Sequence, residues 1–91
     1  MEQGFGNLFQ VTVEALNNMG LTVYEGKAYL ALLQKHPSHG NEISRHSGVP
    51  GPKIYETLNR MMQKGLVAAL NTDPLLYSPL PYHEFLKLIT S

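Results

Sequence analysis

Ninety-one residues are fewer than a typical domain of about 100 to 200, which leaves room for one small core and none for a separate substrate domain. Seven Lys plus Arg balance seven Asp plus Glu, and a net charge of zero argues against a uniformly basic nucleic-acid coat and against an acidic tail. There is no cysteine for disulfides or thiolate metal sites, and apolar runs such as Leu30 to Leu33 fall far short of the roughly 20 residues of a membrane span. No Lys or Arg precedes Lys27, so the basic region of a signal peptide is missing, and a soluble, cytoplasmic module without membrane contact is expected.

In chain order, Phe9, Val13 and Leu16 stand at i, i+4 and i+7 and predict a helix over 8–19, stopped by Gly20. Thr22 lies three residues ahead of Glu25, the spacing of a capping box, and starts a helix over 22–35. Leu21, Tyr24, Ala28 and Leu32 form its inner stripe, widened by Tyr29 and Leu33, while Glu25, Lys27, Gln34 and Lys35 are expected to face water. Gly26 weakens this helix by about 1 kcal/mol relative to Ala. Pro37-Ser38-His39-Gly40 reads as a breaker, followed by a short helix over 41–47 anchored by Ile43.

Gly48-Val49-Pro50 stops that helix, and another runs over 52–64 with Pro52 at its first position, Ile54, Leu58 and Met61 inside, and Gly65 at its end. Two helices joined by so tight a turn make a helix-turn-helix candidate. Beyond it, two short apolar segments around Asn71-Thr72-Asp73-Pro74 predict a hairpin over 66–80, with Pro79 limiting an edge strand. A last helix is expected to start over 82–89, burying Phe85 and Leu88 or Ile89. The fold class is therefore mainly α with a small β-hairpin.

The chain offers little to catalysis. His36 and His39 flank Pro37 with no carboxylate or thiol at ligand spacing, the carboxylates are scattered one per element, and no phosphate loop or nucleophile elbow is present. A protein with no enzymatic activity, no metal and no cofactor is the expectation.

Charge placement is more informative than its sum. Between Arg45 and Lys64 the cations Arg45, Lys53, Arg60 and Lys64 face one anion, Glu56, a net +3 that the remainder of the chain offsets. The outer face of the 52–64 helix presents Lys53, Glu56, Thr57, Arg60 and Lys64, with Asn59 and Gln63 at the margins. Cations suit phosphates and guanine, amides suit adenine, and a threonine methyl suits thymine. Lys53 and Lys64 are assigned to phosphates, Thr57 to base edges and Arg60 to either. His46 stands either as a partly buried polar residue or as a phosphate contact. Tyr55 is taken mainly as a packing residue whose hydroxyl lies within reach of a phosphate.

The segment from Leu16 to Leu33, with Leu21-Thr22-Val23-Tyr24-Glu25-Gly26-Lys27-Ala28-Tyr29-Leu30-Ala31-Leu32-Leu33 at its centre, resembles the opening "LGLTEYEAKAYLALL" of TrmB-type transcriptional regulators. The similarity continues through Glu42-Ile43, Ser47-Gly48-Val49-Pro50, Lys53 to Leu58 and Lys64-Gly65-Leu66-Val67, and ends at Tyr77-Ser78-Pro79, covering residues 16–81. The resemblance implies a winged helix-turn-helix that binds double-stranded operator DNA, usually as a homodimer, with 52–64 as recognition helix. It also implies a small-molecule effector such as a sugar, provided that the parent protein carries a C-terminal sensor domain, which is not expected within this chain.

Two positions depart from the family pattern. Gly51 and Pro52 replace a basic and a small polar residue at the start of the recognition helix, and Leu75 and Leu76 stand where the second wing strand usually begins with Lys or Arg. Both changes remove phosphate contacts, and exposed wing leucines support the alternative of a protein-protein interaction module.

Overall fold

The computed structural model describes residues 13–81. Residues 13–18 are helical and are labelled α1. They are followed by α2 (Val23–Gln34), β1 (Ser38–His39), α3 (Gly40–Ser47), α4 (Gly51–Gln63), β2 (Val67–Leu70) and β3 (Leu76–Pro79). Phe9 and the expected helix over 82–89 lie outside the described residues.

The capping box at the head of α2 forms in both directions. The Glu25 amide donates to Thr22 Oγ1 at 3.1 Å, and the Thr22 amide donates to Glu25 Oε1 at 2.9 Å. The helix begins one residue after Thr22, which serves as its N-cap. Its buried stripe holds Leu21, Ala28, Tyr29 and Leu32 as expected, together with Glu25 in place of Tyr24 and Leu33. Glu25, read as water-facing, is fully buried, whereas Tyr24 and Leu33 are partly exposed. The spacing explains the correction: positions 21, 25, 28, 29 and 32 share one side of a 3.6-residue helix, and Tyr24 is rotated away from it.

Helix α3 ends as its sequence predicts. Gly48 takes a left-handed φ of 83°, a conformation available to glycine at little cost, and Val49 turns back into the core. The Ser44 hydroxyl donates to the Val49 carbonyl at 2.5 Å, which pins that turn. Helix α4 starts at Gly51, so Pro52 occupies its second position, where the missing N–H again costs no intrahelical bond. Ile54, Leu58 and Met61 are wholly buried and pack with Leu16, Leu32, Ile43 and Leu66 in one core.

The breaker at 37–40 contains a strand that patterning did not anticipate. Ser38 and His39 pair antiparallel with Tyr77 and Leu76, so the sheet order is β1-β3-β2. The second hairpin strand is thus central, correcting the edge assignment. Pro79 is its last residue, opposite Val67 and past the two-residue reach of β1, so its missing N–H interrupts no pairing with β1. Beyond it the Tyr29 hydroxyl donates to the Leu80 carbonyl at 2.6 Å, tying the chain after the wing to α2. The arrangement is a winged helix-turn-helix, with α3 and α4 as the helix pair and β2–β3 as the wing.

Candidate nucleic-acid interface

The outward face of α4 depends on how tightly its inner face is packed. With Ile54, Leu58 and Met61 sealed in the core, helical geometry turns Lys53, Glu56, Asn59, Arg60 and Gln63 to solvent. The Lys53 ammonium makes no hydrogen bond or ion pair among the described residues. Arg60 donates to Glu56 at 2.9 Å across one helical turn, with both side chains about half exposed. Such a pair is worth only about 0.3 to 0.5 kcal/mol and yields readily to a stronger anion.

Two residues expected on this face are engaged elsewhere. Thr57 is only 5% exposed, and its hydroxyl donates to the Lys53 carbonyl at 2.8 Å within the helix. The Lys64 ammonium donates to Glu25 Oε1 at 2.7 Å and to the Gly20 carbonyl at 3.2 Å. Its charge therefore serves a buried carboxylate. The Glu25 role was hidden from sequence reading because its partner lies 39 residues along the chain. The capping-box spacing did reveal that Glu25 turns back toward Thr22.

On α3, Arg45 and His46 stand exposed in the last turn, where cations complement the helix C-terminus. His46 is therefore not the partly buried residue of one sequence reading. Tyr55 is 50% exposed, and its ring lies directly over Gly40. A Cβ at position 40 would stand 2.6 Å from Tyr55 Cε1, so the packing of this ring depends on a glycine there.

A depression flanks α4 on each side. Toward α2 it is about 310 Å³ and is lined by Thr22, Tyr24, Lys53, Glu56, Thr57 and Arg60. Toward α3 and the wing it is about 550 Å³, and its lining includes His39, Gly40, Arg45, Tyr55, Leu75 and Tyr77. His39 Nδ1 lies 3.1 Å from the Leu75 carbonyl; a carbonyl only accepts, so this nitrogen carries the proton and ties the head of α3 to the turn of the wing. Burial pushes the Tyr77 hydroxyl above its ordinary pKa, with the neighbouring Tyr55 adding to the effect. Residues 67–79 contain one charge, Asp73, and expose Leu70 and Leu75. Leu76, also expected on the surface, is half-buried by its place in the central strand.

The family described as sugar-specific transcriptional regulator TrmB matches residues 16–83. The chain belongs to the TrmB family. Among its relatives, the protein YrhO of Bacillus subtilis (strain 168) is 41% identical over 75 residues, covering 82% of this chain and 27% of YrhO. The sugar-sensing HTH-type transcriptional regulator TrmBL1 of Pyrococcus furiosus is 39% identical over 67 residues, covering 74% of this chain and 20% of that protein. This TrmB-family chain thus spans about a fifth to a quarter of the curated relatives it matches.

Among solved structures, TrmBL2, an archaeal chromatin protein described as showing a novel mode of DNA binding, superimposes with a TM-score of 0.77 at 26% identity. The match covers 90% of this chain and 33% of TrmBL2. A MarR family protein from Bacillus stearothermophilus shares the fold at a TM-score of 0.67 and 22% identity, over 98% of this chain and 63% of that one. The TrmB family is one of transcriptional regulators, not enzymes. Among the described residues no helix is long and apolar enough to cross a membrane.

Proposed function

We propose that this chain is the DNA-reading head of a TrmB-type transcriptional regulator, which seats α4 in the major groove of a double-stranded operator and acts as a cytoplasmic homodimer. The observation that carries the reading is the exposed face of α4, where Lys53 is unpaired among the described residues and Arg60 is held only by an exposed neighbour. Lys53 meets phosphate, and Arg60, Asn59 and Gln63 meet base edges or phosphate. Arg45, His46 and Tyr55 reach the backbone beside them. Thr57 and Lys64 act from within the fold, Thr57 by closing a helix carbonyl and Lys64 by neutralising Glu25. A sugar effector enters only through a sensor domain in a longer parent protein.

Lys53, Arg60 and Arg45 together neutralise about three phosphates per protomer, so the log-log salt slope is near −3 for one domain and about double for a dimer. Titration of duplex DNA at low and moderate salt tests this. Salt-sensitive binding that weakens when Lys53 and Arg60 are replaced by Ala supports it; absence of such binding, including from two tethered copies, refutes it. The exposed Leu70 and Leu75 on a wing without cations favour the second reading, a winged helix that binds protein. The same titration separates the two.

A further inference from the structure

The depression between α3, Tyr55 and the wing has a composition that the face of α4 does not account for. Tyr77 is 3% exposed and lines it, yet its hydroxyl makes no hydrogen bond among the described residues. The one sealed side-chain polar atom without a partner among them is Glu25 Oε2, so the Tyr77 hydroxyl opens to the depression instead of being closed off. The Arg45 guanidinium and the Tyr55 hydroxyl border the same space, also without hydrogen-bond partners among the described residues. All three groups present donors, and Arg45 carries charge. The acceptor at the rim, Glu42, is already occupied: Oε1 takes the His39 amide at 2.9 Å and Oε2 meets Lys35 at 3.5 Å. A donor-rich hollow with Leu75 as an apolar wall suits a small oxyanion.

Position names the oxyanion. A major groove is about 12 Å wide and a helix with side chains about 10 to 12 Å across, so the sugar-phosphate strands bordering an inserted helix run along its flanks. Tyr55 belongs to α4 and Tyr77 to the wing, so the hollow lies on such a flank.

Resting on the DNA reading above, we propose that Arg45, Tyr55 and Tyr77 hold one DNA phosphodiester between α3 and the wing. The wing needs no cation of its own because α3 supplies one beside it. Gly40 is part of the site, since it lets the Tyr55 ring lie flat enough to share the hollow with Tyr77. The raised pKa of Tyr77 keeps its hydroxyl a donor throughout the physiological range.

The test pairs Arg45→Gln, Tyr55→Phe and Tyr77→Phe with duplexes carrying a single uncharged methylphosphonate linkage, moved one position at a time. Tyr77→Phe retains the buried ring, and thermal melts verify that each variant is folded. Each variant should bind unmodified duplex about tenfold more weakly, as expected for a hydrogen bond to a charged group. Arg45→Gln should also reduce the salt slope by about 0.9, the value for one phosphate. One linkage should weaken wild type when neutralised and cost the variants less than twofold. Undiminished binding by both Phe variants, or the same loss in wild type and variants at every linkage, overturns the proposal while leaving α4 as the DNA reader. Tight binding of inorganic phosphate at these residues with no coupled linkage also overturns it, in favour of a free anion. No DNA binding by wild type overturns the functional reading and this site together.

Discussion

Lys64, at the C-cap of α4, places its ammonium 2.7 Å from Oε1 of Glu25, a carboxylate wholly buried at the head of α2. The contact joins two elements whose orientation sets the depression between them. It also leaves Glu25 Oε2 without a partner among the described residues, so the Glu25 charge rests on Lys64 and the Thr22 amide alone. Removing one member of a buried pair usually costs about 3 to 5 kcal/mol; Lys64 is partly solvated, so Lys64→Met is expected to cost about 2 kcal/mol. Adding Glu25→Gln should recover most of that loss, because an amide keeps the capping box without a charge. Urea unfolding of the single and double variants measures it. Additive losses would refute the coupling.

Two glycines with opposite surroundings give a second comparison. A Cβ on Gly26 would meet Leu16 Cβ at 3.7 Å, an ordinary contact, so Gly26→Ala should stabilise the chain by about 0.5 to 1 kcal/mol through helix propensity. A Cβ on Gly40 would drive the Tyr55 ring from its seat. Because that ring is half exposed it can swing out, and Gly40→Ala should cost about 1 kcal/mol of lost packing. In a Tyr55→Ala background the same change should cost almost nothing. Equal effects of Gly40→Ala in both backgrounds would show that the ring contact is unimportant.

The contrast marks what can be read from sequence. Thr22 and Gly48 act on neighbours within a turn, and Ile54, Leu58 and Met61 recur at helical spacing on one face, so spacing alone reveals their roles. Glu25 and Tyr77 take their roles from partners supplied by distant elements, and spacing is silent on these. β1 escaped notice because two residues have no periodicity; only the central position of β3 makes Ser38 and His39 a strand. Lys64 and Thr57 look like surface residues on a helical wheel. Both sit where the wheel's outer face meets α2 or the helix's own backbone.

Acid and alkali should act on different ends of the wing contact. The His39 amide, and after it the charge of Lys35, hold the Glu42 carboxyl below its ordinary value of 4.5. A lowered folded pKa gives stability that is present above the unfolded value and lost as pH falls through the folded one. Glu42→Gln should therefore be less stable than wild type at neutral pH and converge with it as pH falls below 4.5 and through the folded pKa. Tyr77, raised above 10.0, contributes stability that is full below that value and lost as pH rises through its folded pKa. Tyr77→Phe should flatten the alkaline limb alone. Chemical unfolding across pH measures both, and superimposable acid limbs for wild type and Glu42→Gln would contradict the assignment.

Glu56 is the anion on the exposed face of α4, and it holds Arg60 in the free protein. If α4 enters the groove as proposed, the same carboxylate stands among phosphates, where it repels, and Arg60 must leave it to reach an oxygen or a guanine. Glu56→Gln should change stability by no more than about 0.5 kcal/mol, the worth of an exposed pair at this spacing. It should strengthen binding to unrelated duplexes several-fold at low salt and steepen the salt slope by roughly one, since the face loses an anion that offsets its cations. Competition titrations with an operator and a scrambled duplex separate two origins of its effect. If Glu56 only masks Arg60, both duplexes gain. If it accepts a hydrogen bond from a cytosine amino group, the operator alone loses affinity, by about 1 to 3 kcal/mol, while the scrambled duplex still gains. Unchanged binding to both would remove α4's outer face from the interface, because a charge reversed in sign to its neighbours cannot be neutral inside a phosphate-lined groove.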